Sequence, residues 1–283
     1  MKFVKAQPLI SFFILAYGIF WALWIPLIPY LQNLATFEIP TWSIPLALLG
    51  IYAPTFAAII VTAISEGRAG LQKLFAPLFD WKLSFKWYLV AIFLPLSLAV
   101  IALLIHLGML GELNQDTSFA WLSSVPIFLA SIPIMLLVKL PLGPMAEELG
   151  WRGYALPRLQ RKMSALNASL ILGLLWGLWH LPAFWVPGAA LGLEVTPSFF
   201  EIAKYVFNVT GVTIIFTWIY NNTRGSLIID FLFHAAYNAL PSLLFVSVDI
   251  FPELFTWVIW AFAILLIVIY GAENLAKEKV IKV

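Results

Sequence analysis

Long apolar runs, separated by short polar segments, dominate the hydrophobic pattern of the chain. A helix that crosses about 30 Å of hydrocarbon needs roughly 20 mostly apolar residues. Eight windows of about that length or more lie at about 10–31, 42–65, 86–110, 122–156, 164–185, 203–221, 226–247 and 252–271. Continuous apolar runs are typical of membrane helices, whereas the strands of membrane barrels alternate in polarity. The pattern therefore predicts an all-α, polytopic membrane bundle of about eight transmembrane helices.

The fourth window is the longest, and it is interrupted by Pro141, Gly143 and Pro144. Proline removes a backbone donor and kinks a helix, so this window predicts one kinked helix. The chain shows no internal repeat, low-complexity tract or linker. We expect a single transmembrane domain over 1–283, with the motif-bearing core at about 122–247.

Composition narrows the function classes. The chain is 63% hydrophobic and 11% charged, whereas soluble proteins carry roughly a quarter charged residues. A net charge of +2 supplies no basic field, so no nucleic-acid partner is expected. The absence of cysteine from the sequence excludes disulfides, thiolate metal sites and a cysteine nucleophile. A membrane enzyme, a transporter or a structural membrane protein remains.

The basic residues alternate between the two sides of the predicted bundle. Of the 16 Lys and Arg residues, 14 fall in the termini and loops assigned to one side, Arg152 among them. The opposite loops, near 32–41, 111–121, 186–202 and 248–251, hold no Lys or Arg. The remaining two, Lys139 and Lys204, lie in or at the edge of spans. The positive-inside rule then predicts an integral, multi-pass membrane protein with both termini in the cytoplasm.

Ionisable residues inside membrane helices are costly and mark candidate functional sites. In the segment MAEELGWRGYALPRLQ, Arg152 follows Glu148 by four residues, so on a helix the two side chains can form an ion pair. Glu147 points about 100° away and has no local cation. Glu147 is therefore a candidate general base, although solvated glutamates at a helix end would give the same sequence.

Two later segments add histidines. In LLWGLWHLP, His180 follows Trp176 by four residues, and a lone histidine of this kind is often a packing residue. In IIDFLFHAAYNAL, the residues Asp230, His234 and Asn238 recur every four positions and so share one stripe of a helix. Each of these polar groups needs a partner in an apolar span, so this stripe indicates either a site or a polar seam between helices.

These three motifs in order resemble those of the CAAX-protease and bacteriocin-processing family, which includes the type II CAAX prenyl endopeptidases. They stand here as E-E-x-x-x-R at 147–152, W-x-x-x-H at 176–180 and H-x-x-x-N at 234–238. Together they cover about a third of the chain. The resemblance implies an intramembrane endopeptidase with a cavity open to the cytoplasmic side.

The resemblance also implies roles for individual residues. Glu147 with His180 would activate the attacking water, and His234 with Asn238 would stabilise the oxyanion. Glu148 and Arg152 would form a structural pair, which agrees with their helical spacing. Asp230 and Trp176 are second-tier candidates, and Asp230 either orients His234 or bonds to another helix.

The cofactor is open at this stage. Glu147, His180 and His234 could bind zinc, and the family is often described as metal-dependent. However, the chain has no H-E-x-x-H motif, and the amide of Asn238 is a poor zinc ligand. A glutamate mechanism without metal is slightly favoured.

The expected partners are membrane lipids and a peptide or lipidated peptide substrate. A non-proteolytic membrane immunity or scaffolding protein on the same fold is the alternative function. A proton-coupled transporter is disfavoured because residues 1–120 carry no matching polar group, as a repeated half would. The sequence predicts neither the substrate and its cleavage position nor the oligomeric state.

Overall fold

The computed structural model describes residues 1–110, 125–190, 197–241 and 251–277, and within them it contains helices and no strand. Many of the helices begin at or next to a proline, which is tolerated in the first turn because that turn has no use for its backbone donor. The helices are α1 (Lys2–Ala6), α2 (Pro8–Leu27), α3 (Ser43–Ile51), α4 (Ala53–Ser65), α5 (Gly67–Phe75), α6 (Phe85–Leu110), α7 (Val125–Lys139), α8 (Pro144–Gly150), α9 (Leu156–Gln160), α10 (Ala165–Trp179), α11 (Phe199–Asn222), α12 (Leu227–Ala239) and α13 (Phe251–Tyr270).

The predicted helical membrane bundle is confirmed, but the eight windows are not eight equal spans. Within the described residues, four helices are long and apolar enough to cross a membrane, and α3 and α4 form a fifth candidate bent by 57°. The fourth, fifth and seventh windows contain only shorter apolar helices, Ile132–Leu142, Ala165–Trp179 and Leu227–Ala239. The ends of the predicted windows at 122–124 and 242–247 lie outside the described residues.

The prediction of one kinked helix in the fourth window is wrong. Helix α7 ends at Lys139, a 3₁₀ turn covers Leu140–Leu142, and α8 starts at Pro144. After α8, a π-helical turn over Trp151–Ala155 leads into α9. Two prolines close together remove two backbone donors, so the helix breaks instead of bending. This break places Gly143 beside the site described below.

The loops that the charge pattern assigned to one side do lie together at one end of the bundle. Glu66 pairs with Arg158 at 2.5 Å, and Arg224 pairs with Asp80 at 3.0 Å. The segment after α13 reaches the same end, because Asn221 donates to the carbonyl of Asn274 at 2.7 Å. One end of the protein therefore gathers most of the basic loops.

Glycines allow the helices around the site to approach closely. A methyl group added at Gly173 would lie 2.6 Å from Thr210 Cα, and one at Gly177 would lie 3.0 Å from Val206 Cα. This G-x-x-x-G spacing packs α10 against α11 within one chain. Gly150 on α8 packs against α4 in the same way, because a methyl group added there would lie 2.6 Å from the backbone of Pro54. The helices that carry the motifs are thus held by close backbone contacts.

Candidate active site

Glu147 lies in the first turn of α8, where it is buried with 6% of its surface exposed. Its Oε2 accepts a hydrogen bond of 2.6 Å from the indole Nε1 of Trp176 on α10. Trp176 is buried as well, and this bond fixes one carboxylate oxygen while the other remains available. Trp176, a second-tier candidate in the sequence, is therefore a direct partner of Glu147.

His180 follows α10 and is connected to the same tryptophan. Its Nδ1 lies 2.8 Å from the carbonyl oxygen of Trp176. A carbonyl can only accept, so Nδ1 carries the hydrogen and Nε2 of the neutral ring presents a lone pair. The rings of His180 and Trp176 are 6.0 Å apart between centroids. Trp176 thus links His180 to Glu147 through one bond from its indole and one to its carbonyl.

Glu148 and Arg152 form the ion pair that their spacing predicts, and they also hold His234. Arg152 Nη1 lies 2.9 Å from Glu148 Oε1, with both side chains fully buried. The same Oε1 lies 2.7 Å from Nδ1 of His234 on α12. Because a carboxylate only accepts, the Nδ1 of His234 carries a hydrogen and its Nε2 faces away from Glu148. Glu148 therefore does more than pair with Arg152, since it orients the histidine.

Arg152 is not on a cytoplasmic loop, where the charge count had placed it. Its guanidinium carbon lies 4.2 Å from the ring centroid of Trp176 and 3.8 Å from that of Phe216 on α11. A guanidinium stacks well between aromatic faces and is weakly hydrated, so it is the cation best suited to this buried position. Arg152 thereby contacts both the tryptophan that binds Glu147 and the glutamate that binds His234.

Asp230 does not orient His234, although it lies one turn away on α12. Among the described residues, neither of its carboxylate oxygens has a hydrogen-bond partner, and the side chain is fully buried. Its electrostatic interactions include those with Glu148, Arg152 and Tyr220. The Nε and Nη2 atoms of Arg152 also lack partners in the described part of the chain. Asp230 is therefore a second buried carboxyl group close to the arginine.

The remaining polar atoms of the site converge over Gly143, which the sequence did not single out. A methyl group added at Gly143 would lie 3.4 Å from Glu147 Oε1, 3.6 Å from Asn238 Nδ2 and 3.8 Å from His234 Nε2. Asn238 is exposed, whereas Glu147 and His234 are buried. The carboxylate oxygen of Glu147, the amide nitrogen of Asn238 and the Nε2 of His234 thus face one point next to Gly143. The break between two prolines was the available signal for Gly143.

Tyr205 on α11 is a second residue that the motifs did not indicate. Its ring packs edge-on against His180 with centroids 5.3 Å apart, and against Phe184 at 5.1 Å. It also lies close enough to Glu147 for an electrostatic interaction. No motif marks it, because tyrosines near span ends are common interfacial residues.

The side chains present do not form a zinc site. The described residues contain no group of three or more His, Asp and Glu side chains arranged to hold a metal ion. The arrangement instead offers a carboxylate oxygen and hydrogen-bonding groups around a common point.

Comparisons with known proteins cover the segment that carries the site. Residues 128–240 match the family of type II CAAX prenyl endopeptidase Rce1-like proteins, and this region contains every candidate site residue. The chain is also 28% identical over 203 residues to CAAX prenyl protease 2 of Methanococcus maripaludis. That alignment covers 71% of this chain and 73% of the archaeal protein. Both comparisons support a peptidase of the CAAX type.

The family resemblance carried by the three motifs is thereby confirmed. The chain is an integral membrane protein whose residues 128–240 match the type II CAAX prenyl endopeptidase Rce1-like family.

Proposed function

We propose that the protein is an intramembrane endopeptidase that hydrolyses a peptide bond of a membrane-associated or lipidated peptide, with Glu147 as the general base. The observation that carries the proposal is the convergence of Glu147 Oε1, His234 Nε2 and Asn238 Nδ2 over Gly143. Hydrolysis of a peptide bond needs a base for water and preorganised donors for the tetrahedral oxygen. The site supplies both from two different helices, with Glu147 on α8 and with His234 and Asn238 on α12.

In the proposed reaction, Glu147 Oε1 takes a proton from a water molecule. His180 accepts a second hydrogen bond from this water at Nε2. The water oxygen attacks the carbonyl carbon, and the carbonyl π electrons move to the oxygen. The Asn238 amide donates to this oxyanion, and His234 donates from Nε2 in its doubly protonated form. The oxyanion electrons then reform the C=O double bond as the C–N bond breaks, and the proton on Glu147 moves to the leaving amine.

The supporting groups hold these residues in place before the substrate arrives. The indole of Trp176 fixes Glu147 at 2.6 Å, and Glu148 fixes His234 at 2.7 Å. Preorganised donors in a site that excludes water stabilise developing charge far more than solvent does. The burial of Glu148 and Arg152 therefore serves the geometry of the site.

The substrate class follows from the setting and from the relative's name. The site lies among apolar helices, so a substrate anchored in the membrane can reach it without leaving the lipid phase. The relative is a CAAX prenyl protease, and we propose the same class of substrate here: a peptide with a prenylated carboxyl-terminal tail. We place the cleaved bond near the cytoplasmic face.

The test is cleavage of a quenched fluorescent peptide with a farnesylated CAAX tail, and of the same peptide without lipid, by purified protein in detergent. Glu147→Gln should lose at least ~100-fold in kcat, as expected for removal of a general base. Glu253→Gln is the matched control, because it neutralises an exposed glutamate in a surface pair with Lys204. Undiminished cleavage by Glu147→Gln would contradict the role of Glu147 as the general base. Failure of the folded wild type to cleave either peptide would favour a binding protein.

Repeating the assay with a strong chelator distinguishes the glutamate mechanism from a zinc mechanism. We expect wild-type activity to resist a strong chelator, because the proposed mechanism uses Glu147 and hydrogen-bonding groups alone. Loss of activity in chelator, with recovery on adding Zn²⁺, would favour the metal mechanism instead.

We also propose that both termini lie in the cytoplasm. It is supported by the gathering of Arg158, Arg224 and their partners at one end of the bundle. The natural chain has no cysteine, so single substitutions report orientation directly. Lys5→Cys should react with an impermeant maleimide only after cells are opened, whereas Asn33→Cys should react in intact cells. The reverse pattern would overturn the orientation.

A further inference from the structure

The polar atoms of the site surround a small space next to Gly143. They include an acceptor and a donor, which are the groups that a hydrolytic reaction needs. Glu147 Oε1, Asn238 Nδ2 and His234 Nε2 would each lie within 3.4 to 3.8 Å of a methyl group at this position. Each distance is close to a normal contact for a carbon atom. A methyl group would therefore fit without displacing any of the three side chains, but it would occupy the space between them.

We propose that the space above Gly143 is where the attacking water meets the scissile carbonyl, and that Gly143 is required there because it lacks a side chain. This inference rests on the proposed peptidase function and adds a residue to it. Gly143 makes no polar side-chain contact of its own. Its role is to shape the pocket in which Glu147, His234 and Asn238 act.

The backbone holds Gly143 in a fixed place next to these groups. Its carbonyl accepts the backbone N–H of Glu147 at 2.8 Å, which ties it to the first turn of α8. Two residues earlier, the carbonyl of Pro141 accepts the hydroxyl of Tyr52 at 3.1 Å, which ties it to the bend between α3 and α4. These two bonds keep the main chain from shifting to move a methyl group at Gly143 out of the space between the three side chains.

Packing explains other glycines of this protein, but it does not explain Gly143. At Gly150 a methyl group would collide with the backbone of Pro54 at 2.6 Å, so that glycine permits two helices to touch. At Gly18, on α2, a methyl group would meet nothing within 4 Å. Gly143 differs from both, because its neighbours are functional polar atoms at ordinary contact distance.

The experiment is the kinetic analysis of Gly143→Ala with the farnesylated quenched peptide, alongside Gly18→Ala as the matched control. We expect kcat of Gly143→Ala to fall by about 100-fold or more, comparable to the loss of one oxyanion donor. KM should stay within about threefold of the wild type, because the methyl group blocks the reaction centre and not the remote binding surface. The thermal unfolding midpoint should match that of the wild type, and Gly18→Ala should keep full activity.

A second comparison asks whether the methyl group acts on the same step as Glu147. If it displaces the water that Glu147 deprotonates, Gly143→Ala should cost little further activity in the Glu147→Gln background. A full additional loss in the double variant would overturn the inference.

The remaining outcomes are equally decisive. Wild-type kcat in Gly143→Ala would overturn the inference and leave the peptidase function standing. A Gly143→Ala protein that fails to fold would also overturn it, because the spacing above Gly143 would then be a packing contact. No cleavage by the wild type or by Glu147→Gln would reject the proposed function itself, and this inference with it.

Discussion

Glu148 is the residue whose replacement tests the architecture of the site most directly. Its Oε1 accepts two hydrogen bonds, from Arg152 at 2.9 Å and from His234 at 2.7 Å, and the side chain is fully buried. Glu148→Gln removes the charge and keeps the shape. Arg152 is then left as a buried cation without its ion-pair partner. Breaking a buried pair from one side typically costs about 3–5 kcal/mol.

The magnitude can be compared with the hydrogen bonds themselves. A hydrogen bond to a charged group contributes roughly 1.5–3 kcal/mol, and Glu148 accepts two of them. Together the two bonds therefore contribute about 3–6 kcal/mol, which agrees with the estimate of about 3–5 kcal/mol for breaking the ion pair. At about 2–4 °C per kcal/mol for a chain of this size, the unfolding midpoint of Glu148→Gln should fall by roughly 6–20 °C.

The companion variants separate charge from position. Arg152→Met should destabilise to a similar extent, because it leaves the buried Glu148 without its ion-pair partner and with only the bond from His234. The double variant should recover most of the stability, since a methionine fits between the rings of Trp176 and Phe216 and neither member of the ion pair is left without the other. Its activity should stay low, because His234 no longer bonds to a carboxylate.

The assay is thermal unfolding followed by intrinsic fluorescence, which the 13 tryptophans make sensitive, together with kcat on the quenched peptide. Glu66→Gln is the control: it breaks the pair with Arg158, in which the glutamate is 39% exposed, and should cost at most about 1 kcal/mol. Single variants within about 1 kcal/mol of the wild type, or a double variant as unstable as the sum of the singles, would refute the reasoning.

Three further predictions follow from individual contacts. Trp176→Phe removes the indole that donates to Glu147 and should lower kcat by about 10-fold or more. Trp24→Phe loses only a bond to the backbone carbonyl of Ala47 and should leave kcat unchanged. Equal kinetic effects of the two variants would contradict the role of the Trp176 indole. Asp230→Asn should keep kcat within about threefold and should not destabilise, because no hydrogen bond is lost; a large fall in kcat would show that Asp230 does orient His234. Gly150→Ala should lower the unfolding midpoint, at a cost of about 1–3 kcal/mol measured by the same thermal assay, because its methyl group would collide with the backbone of α4; an unchanged midpoint would refute this contact.

The local part of the site could be predicted from the sequence. The spacing of four between Glu148 and Arg152 is enough to predict their pairing, because residues four apart on a helix are neighbours wherever the helix lies. The spacing of His234 and Asn238 places them on one face in the same way, and both polar atoms do point to the space above Gly143. These statements depend only on the geometry of a single helix.

The partners across helices could not be predicted. The spacing suggested Asp230 as the partner of His234, but the carboxylate that bonds to it is that of Glu148, 86 residues earlier in the chain. The bond from Trp176 to Glu147 likewise joins two helices. A stripe of polar residues shows which face of a helix is used, and it does not show which neighbouring helix presents the partner.

The sequence by itself determined the class of the protein. Its apolar runs are too long and too continuous for a soluble fold, and the cost of polar groups in lipid marks the ionisable residues of three later segments as candidates for a site. The tertiary structure alone decided that the fourth window breaks at Gly143, that Arg152 is buried between Trp176 and Phe216, and that Glu148 orients His234. The physical reason is that helical periodicity is set by local backbone geometry, whereas contacts between helices are set by how closely their backbones can pack, as at Gly150 and Gly173.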